Sequence, residues 1–211
     1  MTNRLTVLLT VLGFTALWGL AANVRSPYVV EPDPNDWRVY RSYTNYGRNA
    51  CLNGHYDEAL PKLLYVNMNC PRESQGLFVW SIATRYLALC YEERGDMDRA
   101  GPYYADAGRA TEILRMGMVR ATGQKDQGIP VAALQRAYKT MPRRGDTLDL
   151  WCNVTRRLAA HYERQGRANQ SRILFAQSVR FSDFINEARS PECWRRMRNE
   201  SLNRAANQAG S

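Results

Sequence analysis

The stretch Leu89–Tyr104, LCYEERGDMDRAGPYY, decides how the chain is read. Apolar and small residues run at helical spacing as far as Glu93. Arg94-Gly95-Asp96 interrupts them, and helical character resumes at once. Glycine can end a helix in the left-handed conformation without a Cβ penalty, so a break of this kind marks a chain reversal. The same word returns as ACLNGHYDEALPKLL, Ala50–Leu64. There Gly54 stands for Gly95, Ala59 for Ala100 and Pro61 for Pro102.

Setting the turn glycines in register extends the pattern to Gly54, Gly95, Gly128 and Gly166. Seven residues before them lie Gly47, Ala88, Ala121 and Ala159. Five after lie Ala59, Ala100, Ala133 and Ser171, and nine after lie Leu63, Tyr104, Ala137 and Phe175. Four before three of them lie Ala50, Tyr91 and Tyr162. Small residues let two antiparallel helices approach closely, and the aromatic rings fill the space between one pair and the next. Asp57 and Asp98, three after their glycines, suit the positive start of a second helix. Pro61 and Pro102 fall early in that helix, where a missing N–H costs least.

This pattern resembles the tetratricopeptide repeat, a helix–turn–helix unit of about 34 residues. The match is carried by Tyr40–Asn67, by Ser81–Arg109 with ALCYEERGDMDRAGPYYADA, and by Cys152–Phe181 with RLAAHYERQGRANQSRILFAQS. A third unit, Leu114–Met141, runs into TGQKDQGIP and carries Gln124 where an aromatic belongs, so it is expected to be degenerate. The resemblance implies an all-α solenoid of antiparallel helix pairs over residues 38–183, with three clear units and one degenerate. Residues 184–211 are expected to supply a capping helix, with Trp194 on its apolar face, and a polar tail.

The resemblance also implies a binding face, because the first helix of each unit lines the concave side in that family. Thirteen residues before the register glycines lie Arg41, Ile82, Arg115 and Asn153. Ten before lie Thr44, Arg85, Met118 and Arg156, and six before lie Arg48, Leu89, Thr122 and Ala160. Members that grip a peptide C-terminal carboxylate use Lys, Arg and Asn at such offsets. This chain offers Arg85 and Arg156 but lacks the Asn at the last one. The expected ligand is an acidic or amphipathic segment of another protein, held in a groove lined by Arg41, Arg48, Arg85, Arg115, Asn153 and Arg156.

The charge distribution agrees with an acidic partner. The 211 residues carry a net charge of +9. Through Gly108 there are 10 basic against 11 acidic residues, and from Arg109 onward 19 against 9. A basic half attracts acidic protein, anionic lipid or nucleic acid. The aromatic platform that single-stranded nucleic acid needs is missing, so nucleic acid is not expected.

The N-terminus reads differently. Leu5–Ala22 is an uncharged run of 18 residues, preceded by Arg4 and ending near Trp18. That is long enough for a single membrane-spanning helix. Residues 1–24 are therefore expected to anchor the chain, with the folded part on the extracytoplasmic side. Gly19-Leu20-Ala21 leaves a cleaved signal, and a secreted or periplasmic protein, as the alternative. Residues 25–37, with SPYVVEPDPND, read as an extended spacer. A tethered adaptor or assembly factor is the expected function, with a permanent structural subunit of a membrane complex as the rival.

Catalytic chemistry finds little footing. The two histidines, His55 and His161, have no partner at triad or metal-ligand spacing. Glu92 and Glu93 are adjacent and diverge around a helix. There is no phosphate-cradling glycine loop. The five cysteines show no CxxC, and no cofactor or metal is expected. Cys51 and Cys90 read as buried fillers, and Cys152 and Cys193 as a possible disulfide in an oxidising compartment.

Overall fold

A computed structural model describes residues 36–123, 128–143, 147–182, 185 and 187–209. These residues form eight helices: α1 (Trp37–Leu52), α2 (Tyr56–Asn69), α3 (Ser74–Glu93), α4 (Met97–Ala121), α5 (Val131–Thr140), α6 (Leu148–Arg164), α7 (Ala168–Arg180) and α8 (Pro191–Ala209). Three antiparallel pairs, α1/α2, α3/α4 and α6/α7, organise the packing, and α4 also lies along α7 in an extensive contact.

The three hairpins close in one way. Gly54, Gly95 and Gly166 have φ of 77°, 80° and 74°. Each glycine N–H donates to the carbonyl three residues back: Cys51 at 3.1 Å, Glu92 at 2.9 Å and Glu163 at 3.0 Å. The following N–H reaches back five, from His55 to Ala50 at 2.8 Å, Asp96 to Tyr91 at 2.9 Å and Arg167 to Tyr162 at 2.9 Å. This is the Schellman closure, and it satisfies helix-end carbonyls that would otherwise lack partners. Asp96 then caps α4, its carboxylate accepting from the Arg99 N–H at 3.1 Å. In all three pairs the register residues are buried: Gly47, Ala59 and Leu63; Ala88, Ala100 and Tyr104; Ala159, Ser171 and Phe175.

The third unit takes another form. Gly128 does not adopt a positive φ, whereas Gly123 does, at 66°. Helix α4 runs 25 residues without a break and ends at Ala121. It therefore absorbs Leu114–Ala121, the expected first helix of that unit. Only α5 follows, packed on α6 through Leu134, Tyr138 and Met141. The register positions Ala121 and Ala133 are exposed.

α3 is the central helix, touching α1, α2, α4 and α8. Its sequence is apolar nearly all round, the mark of a helix buried on several sides. Trp80 donates its indole N–H to the Asn67 carbonyl at 2.9 Å, and the Asn67 amide donates to the Thr84 hydroxyl at 2.9 Å, fixing α2 against α3.

The C-terminal segment locks the far end of α3. Glu92 is 2% exposed. It binds Arg180 (Nη2–Oε1 2.6 Å) and Arg189 (Nη2–Oε2 2.7 Å), and accepts from the Tyr104 hydroxyl at 2.7 Å. Glu93 accepts from the Ser190 N–H at 2.9 Å and its hydroxyl at 2.5 Å. Arg196 donates to the carbonyls of Glu92 and Glu93 at 2.6 and 3.0 Å. Burial pushes the Glu92 carboxyl up, but Arg189, Arg180 and the Tyr104 hydroxyl outweigh it and hold it below the usual carboxylate range.

The expected membrane anchor is not carried forward. Leu5–Ala22 and the spacer before Asp36 lie outside the described residues. Among the described residues no helix is long and apolar enough to cross a membrane. The longest, α4, shows why: Asp98, Arg99, Asp106, Arg109, Glu112, Arg115 and Arg120 spread charge along it from the first turn to the last. With the anchor go the tethered function, the membrane as a partner and the single-pass placement, on either side of a membrane. The architecture is an all-α assembly of paired antiparallel helices.

Candidate protein-interaction groove

α1 and α3 leave an open groove of about 840 Å³ between them, lined by Trp37, Arg41, Thr44, Arg48, Phe78 and Ile82 among others. Two apolar side chains are presented openly there, Phe78 at 57% exposure and Trp37 at 37%. The Arg41 guanidinium lies over the Trp37 ring, 5.8 Å from its centroid. Arg48 is exposed and hydrogen-bonds the Tyr86 hydroxyl. The Thr44 hydroxyl is buried with no hydrogen-bond partner among the described residues, an unsatisfied polar group on the groove wall.

The groove residues recur at helical spacing. Trp37, Arg41, Thr44 and Arg48 stand on one face of α1, and Phe78, Ile82 and Arg85 on one face of α3. Arg85 carries that face toward α4, where it donates to the Thr111 hydroxyl. Burial first, and then the nearby Arg156 charge, lower the Arg85 guanidinium to about 10. Arg156 of α6 is lowered as well, chiefly by burial. It also feels the charges of Glu112 and Arg115 on α4. Arg115 is already spoken for, gripping buried Glu112 through two hydrogen bonds of 3.0 and 2.7 Å.

The structure thus divides the arginines and asparagine read from the sequence into two groups. Arg41 and Arg48 belong to the α1/α3 groove. Arg85, Arg115 and Arg156 gather around the Thr111–Arg115 turn of α4, and Asn153 accepts from Arg156 Nη2 at 3.4 Å. Arg115 reaches this place from the second helix of a pair rather than the first, because α4 does not end where the repeat register expects. Phe78 and Trp37 carry the apolar part of the groove, and the repeat offsets passed over both. Their signal was available: Trp37-x3-Arg41 and Phe78-x3-Ile82 are one-turn pairs on helices whose other faces are filled.

Compared with protein-family models, with curated proteins and with solved structures, the chain matches none. Membership of the tetratricopeptide repeat superfamily is therefore withdrawn. The physical reason is that a glycine turn flanked by small residues is demanded by any tight antiparallel helix pair, whatever its ancestry. What stands is the paired-helix packing itself.

All five cysteines are buried, and none is joined in a disulfide. Cys152 sits beside Trp151 and Leu148 in α6, whereas Cys193 lies in α8, where burial and then Glu92 push its thiol up to about 11. The contact between thiols is instead Cys51 with Cys90, joining α1 to α3. His55 stands exposed at the start of α2, and half-buried His161 lies 6.2 Å from the Tyr162 ring. Among the described residues, no group of three or more His, Cys, Asp and Glu could hold a metal ion.

Proposed function

We propose that this protein is a binding module, not an enzyme, and that the α1/α3 groove receives a segment of another protein. The carrying observation is the pairing of exposed Phe78 and Trp37 with Arg41 and Arg48 in one open groove. Apolar surface displayed beside polar groups is how recognition sites differ from ordinary surface. Arginine and aromatic residues are also the side chains that concentrate binding energy at interfaces. The partner that complements them has an apolar anchor for Phe78 and Trp37 and acidic groups for the two arginines.

Selection of a random peptide library on the full chain tests this. Enriched peptides are expected to combine acidic residues with a large apolar one. Phe78→Glu is expected to cost at least tenfold in their affinity, with helix content unchanged, because Phe78 is more than half exposed. Peptides that bind Phe78→Glu as tightly as the unaltered chain would overturn the groove.

A further inference from the structure

Helices α5, α6 and α7 meet around a second cavity, of about 320 Å³, which shares no lining residue with the α1/α3 groove. Its volume is near the lower end of the roughly 300–1,000 Å³ of small-molecule sites. Buried Leu158 and Leu174 line it from α6 and α7, and Ile173 lies at its edge, 57% exposed. Two tyrosines complete the apolar part, Tyr138 from α5 and Tyr162 from α6. Both rings are fixed in place. Tyr138 stacks on Trp151 with centroids 5.6 Å apart, and its hydroxyl donates to the Gln177 amide oxygen at 2.8 Å. The Arg167 guanidinium lies 4.5 Å from the Tyr162 ring centroid, and the Tyr162 hydroxyl accepts from Gln135 Nε2 at 3.1 Å. Walls held in this way need little ordering when a ligand arrives, so less binding energy is lost to it.

The polar groups select the ligand's charge. Lys139 is the one charged residue of the lining; it is exposed and makes no ion pair among the described residues. The lining holds no carboxylate, and α5 and α7 contain no acidic residue. The Tyr162 hydroxyl accepts from Gln135, and its own proton has no acceptor among the described residues. We infer that this cavity binds a small aromatic monocarboxylate. The ring lies among Leu158, Leu174, Ile173 and the two tyrosines. The carboxylate takes the Lys139 ammonium with one oxygen and the Tyr162 hydroxyl proton with the other. A phosphate monoester would bring a second negative charge, for which the lining has no second cation.

The test is calorimetric titration of the full chain at pH 7.5 with 2-naphthoate and with its neutral isostere 2-naphthamide. Naphthoate is expected to bind saturably at one site, and the amide two- to fivefold more weakly, the scale of a contact to an exposed lysine. Lys139→Gln is expected to weaken naphthoate by that factor and leave the amide unchanged, so that the two ligands become equal. Ile173→Glu is expected to cost at least tenfold for both with helix content unchanged, because Ile173 is more than half exposed. Phe78→Glu, in the other groove, stays within twofold. No saturable binding of naphthoate, or binding that is the same in Ile173→Glu, would overturn the site. Naphthoate and amide binding equally to the unaltered chain, or a difference that persists in Lys139→Gln, would overturn the carboxylate assignment. If naphthoate fails to bind while peptides selected on the chain lose affinity in Ile173→Glu, the cavity takes a partner's side chain and the small-molecule reading falls.

Discussion

The second and third units share a sequence register and part company in space. Around Gly95 the chain reverses, two helices pack face to face, and Ala88, Ala100 and Tyr104 disappear into the core. Among the described residues, Gly128 takes no left-handed turn, and a single helix, α5, leans on α6. The difference begins upstream, at Gly108. Gly108 sits inside α4 rather than at its end, and a Cβ there would come within 2.5 Å of the Phe175 carbonyl oxygen. It is a point of close approach between α4 and α7. Glycine is thus spent on two separate jobs in this chain, left-handed turns and helix crossings. Helix α4 continues past Gly108 because the following residues, RATEILRM, are helix formers with no stop signal.

The ordered second unit owes its definition to more than its own register, and breaking its C-terminal lock is expected to give the largest effect. Glu92→Ala leaves fully buried Arg189 without its carboxylate. Removing one member of a buried ion pair costs about 3–5 kcal/mol. Urea unfolding should show that loss, and Glu92→Leu combined with Arg189→Met should recover more than half of it, since Arg180 retains Glu200 at 3.0 Å. The same network gives a pH signature. The folded carboxyl of Glu92 is held below its unfolded value. Its contribution is therefore complete above the unfolded carboxyl range, near pH 4.3, and is lost as pH falls through the lower folded value. A melting-temperature profile that is flatter below pH 5 in the double variant than in the unaltered chain is the expected outcome. Equal acid sensitivity would place the buried acid response elsewhere.

Gly108→Ala comes next, at about 1–3 kcal/mol, the usual cost of overpacking a tight contact. The obstacle is a backbone carbonyl, which cannot swing aside as a side chain can. The loss should appear as a lower urea midpoint. An unchanged midpoint would mean that α4 and α7 can separate without penalty, and that Gly108 does not explain why the third unit lost its first helix.

Much of this could be read in advance, and the boundary has a physical cause. Gly54, Gly95 and Gly166 declare themselves because a left-handed turn and its flanking small residues lie within a dozen positions of one another. The pairing of α4 with α7 depends on Gly108 meeting Phe175, 67 residues away, and nothing near Gly108 announces it. The lock is more distant still. Glu92 and Glu93 read as two diverging acids on a helix, and Arg189, Ser190 and Arg196 as a polar tail, until the fold brings them together. Helical offsets alone put Arg85 and Arg156 on a common face. They could not show that both are largely shielded from solvent, or that Arg115 is already committed to Glu112. Phe78 and Trp37 were legible only as apolar residues, since exposure is a property of what fails to cover them.

The smallest effects test the comparison between the two glycines most directly. Gly95→Ala places a Cβ on a residue at φ 80° with open space around it, so the cost is purely conformational. Left-handed backbone costs a residue with a Cβ about 1–2 kcal/mol relative to glycine. Gly128→Ala has equally open surroundings but no positive φ to maintain. Exposed substitutions of that kind fall within about 0.5 kcal/mol of zero. Where the native φ suits alanine, they gain about 0.4–1 kcal/mol by restricting the unfolded chain. Urea midpoints of the two variants, measured together, should therefore move apart, with Gly95→Ala lower and Gly128→Ala level or higher. If Gly128→Ala falls as far as Gly95→Ala, the glycine at 128 is held at a turn after all, and the third unit is closer to its neighbours than its single helix shows. If neither moves, the turn at Gly95 is fixed by the Asp96 cap and the packing of Ala100 and Tyr104 alone, and the glycine that first revealed the hairpin contributes nothing to its stability.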